Sequence, residues 1–211
     1  VILSALHLPL VFMLLGLIFR GVAFEFRFKA DPHHRPLWDR AFVLGSLCAT
    51  FFQGVTLGAY IEGIPVVDRA YQGGAWDWIS PFSLFTGVGL VVGYALLGCT
   101  WLIMKTEGRL HRHMCTLARP LTLALLAVIA ALSLWTPLAQ PQIAQRWFSL
   151  PNMFWFLPMP LLVAAAGFDL VRRVRGTPNA GPFVLALCLV FLGYSGLGIS
   201  LWPNIVPPSI S

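Results

Sequence analysis

The sequence predicts an all-α fold: a polytopic integral membrane bundle of about six transmembrane helices, forming a single domain over residues 1–211. Three observations predict it. Of the 211 residues, 58% are hydrophobic and only 10% are charged, whereas an ordinary soluble domain carries about 25% charged residues. So few charges could not cover a soluble protein of this size, but lipid can cover apolar side chains. Six apolar runs also approach the roughly 20 residues needed to cross a hydrocarbon core about 30 Å thick. Finally, the basic residues alternate between successive loops.

The runs lie at about 1–19, 41–61, 82–104, 120–139, 154–171 and 183–202. The first opens at Val1, without Met and already within apolar sequence, and no basic n-region marks a signal peptide. Further residues are therefore expected before Val1. The stretch 20–40 that follows holds Arg20, Glu25, Arg27, Lys29, Asp31, Arg35, Asp39 and Arg40. It reads as a loop. Glu25 and Lys29 have the spacing and order of a helical ion pair, Pro32 and Pro36 are expected to break any helix, and Trp38 suits a membrane interface. The second run carries a GxxxG pair, Gly54 and Gly58, and the third carries Gly89 and Gly93. The last has a patch of Gly193, Gly196 and Gly198. Such residues let helix backbones approach closely in lipid. Pro158 and Pro160 should kink or delay the fifth helix. Trp76, Trp78, Trp147, Trp155 and Trp202 fall near the outer ends, as an aromatic belt would.

Orientation follows from charge. The successive loops contain 5, 1, 4, 1, 3 and 0 Lys or Arg residues. Positive residues are retained on the cytoplasmic side, so the basic loops 20–40, 105–119 and 172–182 are expected there, with Val1 entering from the outer side. The net charge of +6 then points to the anionic membrane surface. No nucleic-acid-binding motif competes with that reading.

Site chemistry is sparse. The four cysteines show neither CxxC nor Cys/His metal spacing and read as reduced thiols. His7 is the only histidine inside a predicted span. A bis-His haem site would need a second, which leaves His7 as a packed or hydrogen-bonded histidine, or as a ligand paired with a Met such as Met13. His33, His34, His111 and His113 fall in predicted loops. No carboxylate lies at mid-membrane, which argues against a self-contained proton pump or cation antiporter. Asp169 lies close to Arg172 and Arg173 near the end of the fifth run. Gln53 and Tyr60 could hydrogen-bond a partner helix or contact a quinone or other substrate. No phosphate-binding glycine loop is present. Arg20 and Glu25 stand out among Phe19, Val22, Phe24 and Phe26, at a depth where a charge needs a partner or a water path. Arg20, Glu25, Arg27 and Gln53 are the candidate polar or interface residues. No residue reads as catalytic.

Long motifs add a family. "FRGVAFEFRFKADPHHRPLWDRAFVLGS", "FFQGVTLGAYIEGIPV", "SPFSLFTGVGLVVGYALLGCTWLIMKTEGRLH" and "LWPNIVPPSIS" resemble, in order and through nearly the whole chain, subunit II of cytochrome bd-type quinol oxidases. The resemblance implies a bacterial cytoplasmic (inner) membrane subunit paired with subunit I. That partner would carry haems b and d and the main quinol site, and the pair would oxidise quinol and reduce dioxygen to water. No cofactor is expected to be held firmly by this chain. A quinone bound as a structural lipid and small accessory subunits are both compatible with the resemblance. The family has extra helices at both ends, and its proton-access Trp-Asp pair lies in the N-terminal part. Trp38–Asp39 is a different pair and does not inherit that role. Within the pattern "FRGVAFEFR", Arg20 and Glu25 are expected to form a charged pair or water-lined patch near a subunit interface.

Two other readings are a transporter and a structural membrane scaffold. Transporters often show repeated halves with broken helices. No internal repeat appears here, and Pro158 and Pro160 have no counterpart in an earlier run.

Overall fold

A computed structural model describes residues 2–64, 66–67, 70–139, 145, 147, 158–174 and 179–201. The chain begins with a short helix α1 (Ile2–Ala5), then α2 (His7–Lys29) and α3 (Arg35–Glu62). Pro9 has no N–H to offer the Ala5 carbonyl, so the helix is interrupted at Leu6 although Leu6 and Leu10 keep their i−4 hydrogen bonds. Gly63 ends α3 with φ 103°, a conformation that a side chain would strain. A two-residue antiparallel ladder follows, β1 (Val66–Val67) with β2 (Ala70–Tyr71), in the register Val66↔Tyr71 and Val67↔Ala70. Then come α4 (Pro81–Lys105), α5 (Gly108–Ala139), α6 (Pro158–Arg173) and α7 (Gly181–Leu201).

The all-α membrane class holds. Among the described residues, α2, α3, α4, α5 and α7 are long and apolar enough to cross a membrane. Their surfaces expose large apolar side chains such as Phe19, Leu44, Leu138 and Phe191, as lipid-facing helices do. The fifth predicted run corresponds to α6, whose 16 described residues span about 24 Å. Pro158 is its first described residue, and the expectation that Pro158 and Pro160 kink or delay this helix turns on residues before it that lie outside the described ones. Residues 154–157, Trp155 and Trp202 lie outside the described residues.

Two predicted loops are largely helix. Residues 20–29 continue α2 and 35–40 begin α3, leaving a turn of only residues 30–34. Pro36 falls in the first turn of α3 and starts that helix instead of breaking one. Likewise, α5 begins at Gly108 (φ 71°), so most of 105–119 is helical. At 32 residues, α5 is about 48 Å long and outruns the bilayer core. Trp78 also departs from the belt reading: it is buried.

The described chain falls into two compact units, divided between Val91 and Val92 within α4. In the first, α2 and α3 touch at Gly16 and Gly45: a Cβ on Gly16 would lie 2.7 Å from the Ala49 nitrogen. The start of α4 meets α3 similarly: a Cβ on Gly58 would lie 2.6 Å from Ser83 Cα, and one on Gly54 2.8 Å from Gly87 Cα. Ala5, Leu6, Val55, Ala59, Ile64 and Trp78 form this unit's core. Phe12 and Phe52 meet each other and Trp78 in tilted and edge-on contacts, with ring centroids 4.9–6.3 Å apart. In the second unit, Leu96, Ile103, Leu125, Leu170, Val174 and Leu189 interlock as side chains. The buried hydroxyls of Thr100 and Thr122 donate to the Leu96 and Ala118 carbonyls one turn back, so each is satisfied within its own helix.

Candidate functional site

The charged stretch of the sequence becomes the turn end of the α2–α3 pair. Gly16, Arg20, Ala23 and Arg27 repeat at helical spacing and mark the stripe of α2 that faces α3. Ala23 is buried there. Arg27 Nε donates to Asp39 Oδ1, tying the two helices across the turn. Phe26 stacks on Trp38 at 5.0 Å. The Arg20 guanidinium lies 5.4 Å above the Phe42 ring, a cation–π contact one turn from the Gly16–Gly45 crossing. Close backbone approach at the glycines brings the arginine stem against α3, while its head reaches outward to the ring.

Glu25 takes a different partner. Its carboxylate is 4.0 Å from Lys29 Nζ, and both side chains are highly exposed. Five residues separate Arg20 from Glu25, which puts them about 140° apart around the helix. Among the described residues they form no ion pair with each other. Both stand at the same helix end, Arg20 toward α3 and Glu25 toward solvent. Arg35 Nε donates to the Ala30 carbonyl at 3.4 Å, and the His33 and His34 rings meet edge-on at 5.6 Å. Gln53 is exposed on α3, four turns further along. The site is thus a polar, aromatic-backed helix end.

At the other end of α3, a second polar knot was not anticipated. The Ser80 amide donates to Ser83 Oγ at 3.0 Å and the Ser83 amide to Ser80 Oγ at 2.9 Å. This is a reciprocal cap for α4, with Pro81 at the first helical position. "SPFS" carried that signal, since the arrangement is a capping box with Ser in place of Glu. The Ser80 hydroxyl donates to Glu62 Oε2. Nearby, the Tyr71 hydroxyl donates to the Gly74 carbonyl at 2.8 Å and lies 3.3 Å from Asp77 Oδ2. Burial, and then the Asp77 charge and hydrogen bond, push the Tyr71 phenol above its usual pKa.

The remaining histidines and cysteines are placed as follows. His7 begins α2 and is exposed; its Nδ1–H donates to the Ser4 carbonyl at 2.8 Å. Of the sequence readings for His7, the hydrogen-bonded one matches this geometry. His111 was expected in a loop but is buried in the first turns of α5. Its Nδ1 is 3.1 Å from the Ile103 carbonyl. That carbonyl can only accept, so Nδ1 carries the proton and Nε2 accepts from the Cys115 thiol at 3.4 Å. The Cys99 thiol donates to the Met114 carbonyl at 3.1 Å. Among the described residues, no group of three or more His, Cys, Asp or Glu is gathered closely enough to hold a metal ion.

Helices of this length and apolarity define a multi-pass membrane protein. Residues 1–211 match the family described as cytochrome bd terminal oxidase subunit II, and the chain belongs to that family. It is 30% identical over 138 residues to the cytochrome bd-I ubiquinol oxidase subunit 2 of Escherichia coli (strain K12), a match covering 63% of this chain and 36% of that protein. It is 28% identical, over the same shares, to the probable cytochrome oxidase subunit 2 of Haemophilus influenzae. The cytochrome bd ubiquinol oxidase subunit 2 of Bacillus subtilis is 33% identical over 114 residues, 53% of this chain and 33% of that protein. The chain thus spans about a third of the length of the curated relatives it matches.

Proposed function

We propose that this chain is part of the second subunit of a quinol:oxygen oxidoreductase in the bacterial inner membrane. In this reading it packs against a haem-bearing subunit I and ligates no haem itself. Haems b and d, held by that partner, supply the redox chemistry. The observation that carries the reading is the family match over the whole chain, joined to a fold whose spans bury glycine contacts and whose charges gather at helix ends. The residues of this chain would align helices, exclude lipid from the partner's surface and set the polarity of one membrane edge. Residues 20–40, 105–119 and 172–182 would then face the cytoplasm, most of the first two as helical extensions.

At that edge, Glu25 would collect protons and the Arg20–Phe42 and Arg27–Asp39 contacts would hold the helix end that presents it. Reducing dioxygen to water consumes protons. Drawing them from the cytoplasm makes charge movement generate voltage, each charge crossing being worth about 2.3 kcal/mol per 100 mV. Gln53 would face a partner helix or a quinone. The proposal extends to one continuous helical domain, with accessory subunits and a structural quinone as further components of the assembly.

The test is purification of the full-length protein from its own membranes in mild detergent. A stoichiometric haem-containing partner supports the reading, and recovery without any haem protein overturns it. Glu25→Gln in that complex isolates the proton role: unchanged oxygen consumption together with unchanged proton release would sink it.

A further inference from the structure

A groove of about 480 Å³ runs between α6 and α7, lined by Leu162, Ala165, Ala166, Leu185, Phe191 and their neighbours. Its lining is apolar except at Asp169, whose Oδ2 accepts from Arg173 Nε at 2.8 Å. Arg172, the next residue, places its guanidinium 5.3 Å over the Phe168 ring. Among the described residues it makes no ion pair. Arg173 also reaches the start of α7, where a Cβ on Gly181 would lie 3.7 Å from its Nη1. The groove therefore has an oily length with Asp169 as its one charged lining residue, and Arg172 and Arg173 follow one turn further along α6, outside the lining itself.

We propose that this groove holds an acyl chain of one anionic phospholipid, with the phosphate at Arg172 and Arg173. The volume falls within the roughly 300–1,000 Å³ of clefts that enclose small ligands. Basic pockets between membrane helices recognise anionic headgroups, and a guanidinium fork matches phosphate oxygens in two-point geometry. A quinone would fill the apolar length but bring no charge to the arginines. Asp169 holds the Arg173 side chain beside the groove mouth, and the exposed Arg172 supplies the uncompensated charge. The inference does not depend on the oxidase reading, because its readout is lipid and not turnover.

Cys188 lines the groove and is exposed, which makes it a native reporter. The full-length protein in its native assembly is placed in nanodiscs of phosphatidylglycerol or of phosphatidylcholine. Alkylation of Cys188 by an uncharged maleimide is followed by peptide mapping, and retained phospholipid is counted by native mass spectrometry. Phosphatidylglycerol should slow Cys188 labelling relative to phosphatidylcholine. Arg172→Gln should lower that preference about fivefold, the effect of one basic residue near a lipid surface, while Arg172→Lys keeps most of it. Ala165→Phe should fill the groove and remove one retained lipid. Equal labelling in both lipids overturns the proposal, as does a preference that survives Arg172→Gln. Retention of a quinone in place of the phospholipid also overturns it, as does Cys188 left unlabelled in both lipids because another protein segment covers it.

Discussion

In the unit that ends at Val91, helices meet backbone to backbone; in the unit that begins at Val92, they meet through side chains. Gly16 against Gly45, Gly54 against Gly87 and Gly58 against Ser83 leave no room for a methyl group. Leu96, Ile103, Leu125, Leu170 and Leu189 instead fill the second unit with bulk. The difference matters because lipid tails are as apolar as leucine, so burial from water does not drive helices together within the bilayer. Close van der Waals contact does. A glycine contact gains by proximity and fails when anything is added. A leucine contact gains by filling space and fails when something is removed. The two units should therefore respond oppositely to substitutions that change side-chain size.

The largest effect is expected from removing bulk in the second unit. Leu170 is fully buried, and Leu170→Ala leaves a cavity in the cluster it shares with Leu96, Ile103, Leu125, Val174 and Leu189. In soluble proteins such changes cost about 2–5 kcal/mol, combining a transfer term with a cavity term. Within lipid the transfer term largely vanishes, so about 2 kcal/mol is expected. Thermal unfolding of the purified full-length protein measures this. A shift indistinguishable from zero would mean that the second unit does not rely on side-chain packing.

Next comes addition of a methyl group in the first unit. Gly58→Ala drives a Cβ against Ser83 Cα, and a backbone atom cannot rotate away. A loss of about 1–2 kcal/mol follows, toward the lower end for overpacking. The contrast is Gly98→Ala in α4, where a Cβ meets nothing within 4 Å among the described residues. There the only change is helix propensity, a gain of about 0.5–1 kcal/mol. Opposite signs for two Gly→Ala changes, read as melting shifts in one assay, would sharpen the comparison; equal signs would break it.

How much of this was readable beforehand depends on what each signal measures. Hydropathy reports where lipid begins, not where a helix ends. It located the apolar spans but turned the charged turns of α2, α3 and α5 into loops. The Gly54–Gly58 spacing correctly marked a close crossing. Among the described residues, Gly93 makes an ordinary 3.7 Å contact with Leu125, and a Cβ at Gly193 or Gly198 would meet nothing within 4 Å. Gly16 and Gly45 were missed because each is a single glycine without a partner four residues away. Their pairing exists only across the turn. At the charged end, the residues were legible but their partners were not. Arg27 and Asp39 are 12 positions apart, and only the helical hairpin brings them together. Once residues 20–29 are helical, the angular offset between Arg20 and Glu25 follows from sequence alone.

The Arg27–Asp39 pair provides a smaller test on the surface of the first unit. Its side chains are 45% and 52% exposed, so solvent screens it and the pair contributes about 0–1 kcal/mol. A double-mutant cycle with Arg27→Gln and Asp39→Asn should give a coupling within that range, weakening as salt is raised. A coupling well above it would make this ion pair, and not the Gly16–Gly45 contact, the main fastening of the α2–α3 hairpin.

The smallest effect is a pH dependence outside the membrane-spanning helices. Tyr71 has its phenol pKa raised by burial and by Asp77. The neutral phenol donates to the Gly74 carbonyl, and the phenolate would place a second negative charge beside Asp77. With the folded pKa above the unfolded value of 10.0, the folded state holds its proton when the unfolded state has released it. The stabilisation is therefore fully present below pH 10.0 and is lost as pH rises through the folded value. Absorbance titration of the phenols should show a late-titrating group that disappears in Tyr71→Phe. In Asp77→Asn its titration should move back toward the ordinary range without reaching it, since burial is the larger cause. If Asp77→Asn leaves the titration unchanged, the loop is held by burial alone, and that end of the first unit would share the second unit's reliance on side-chain packing.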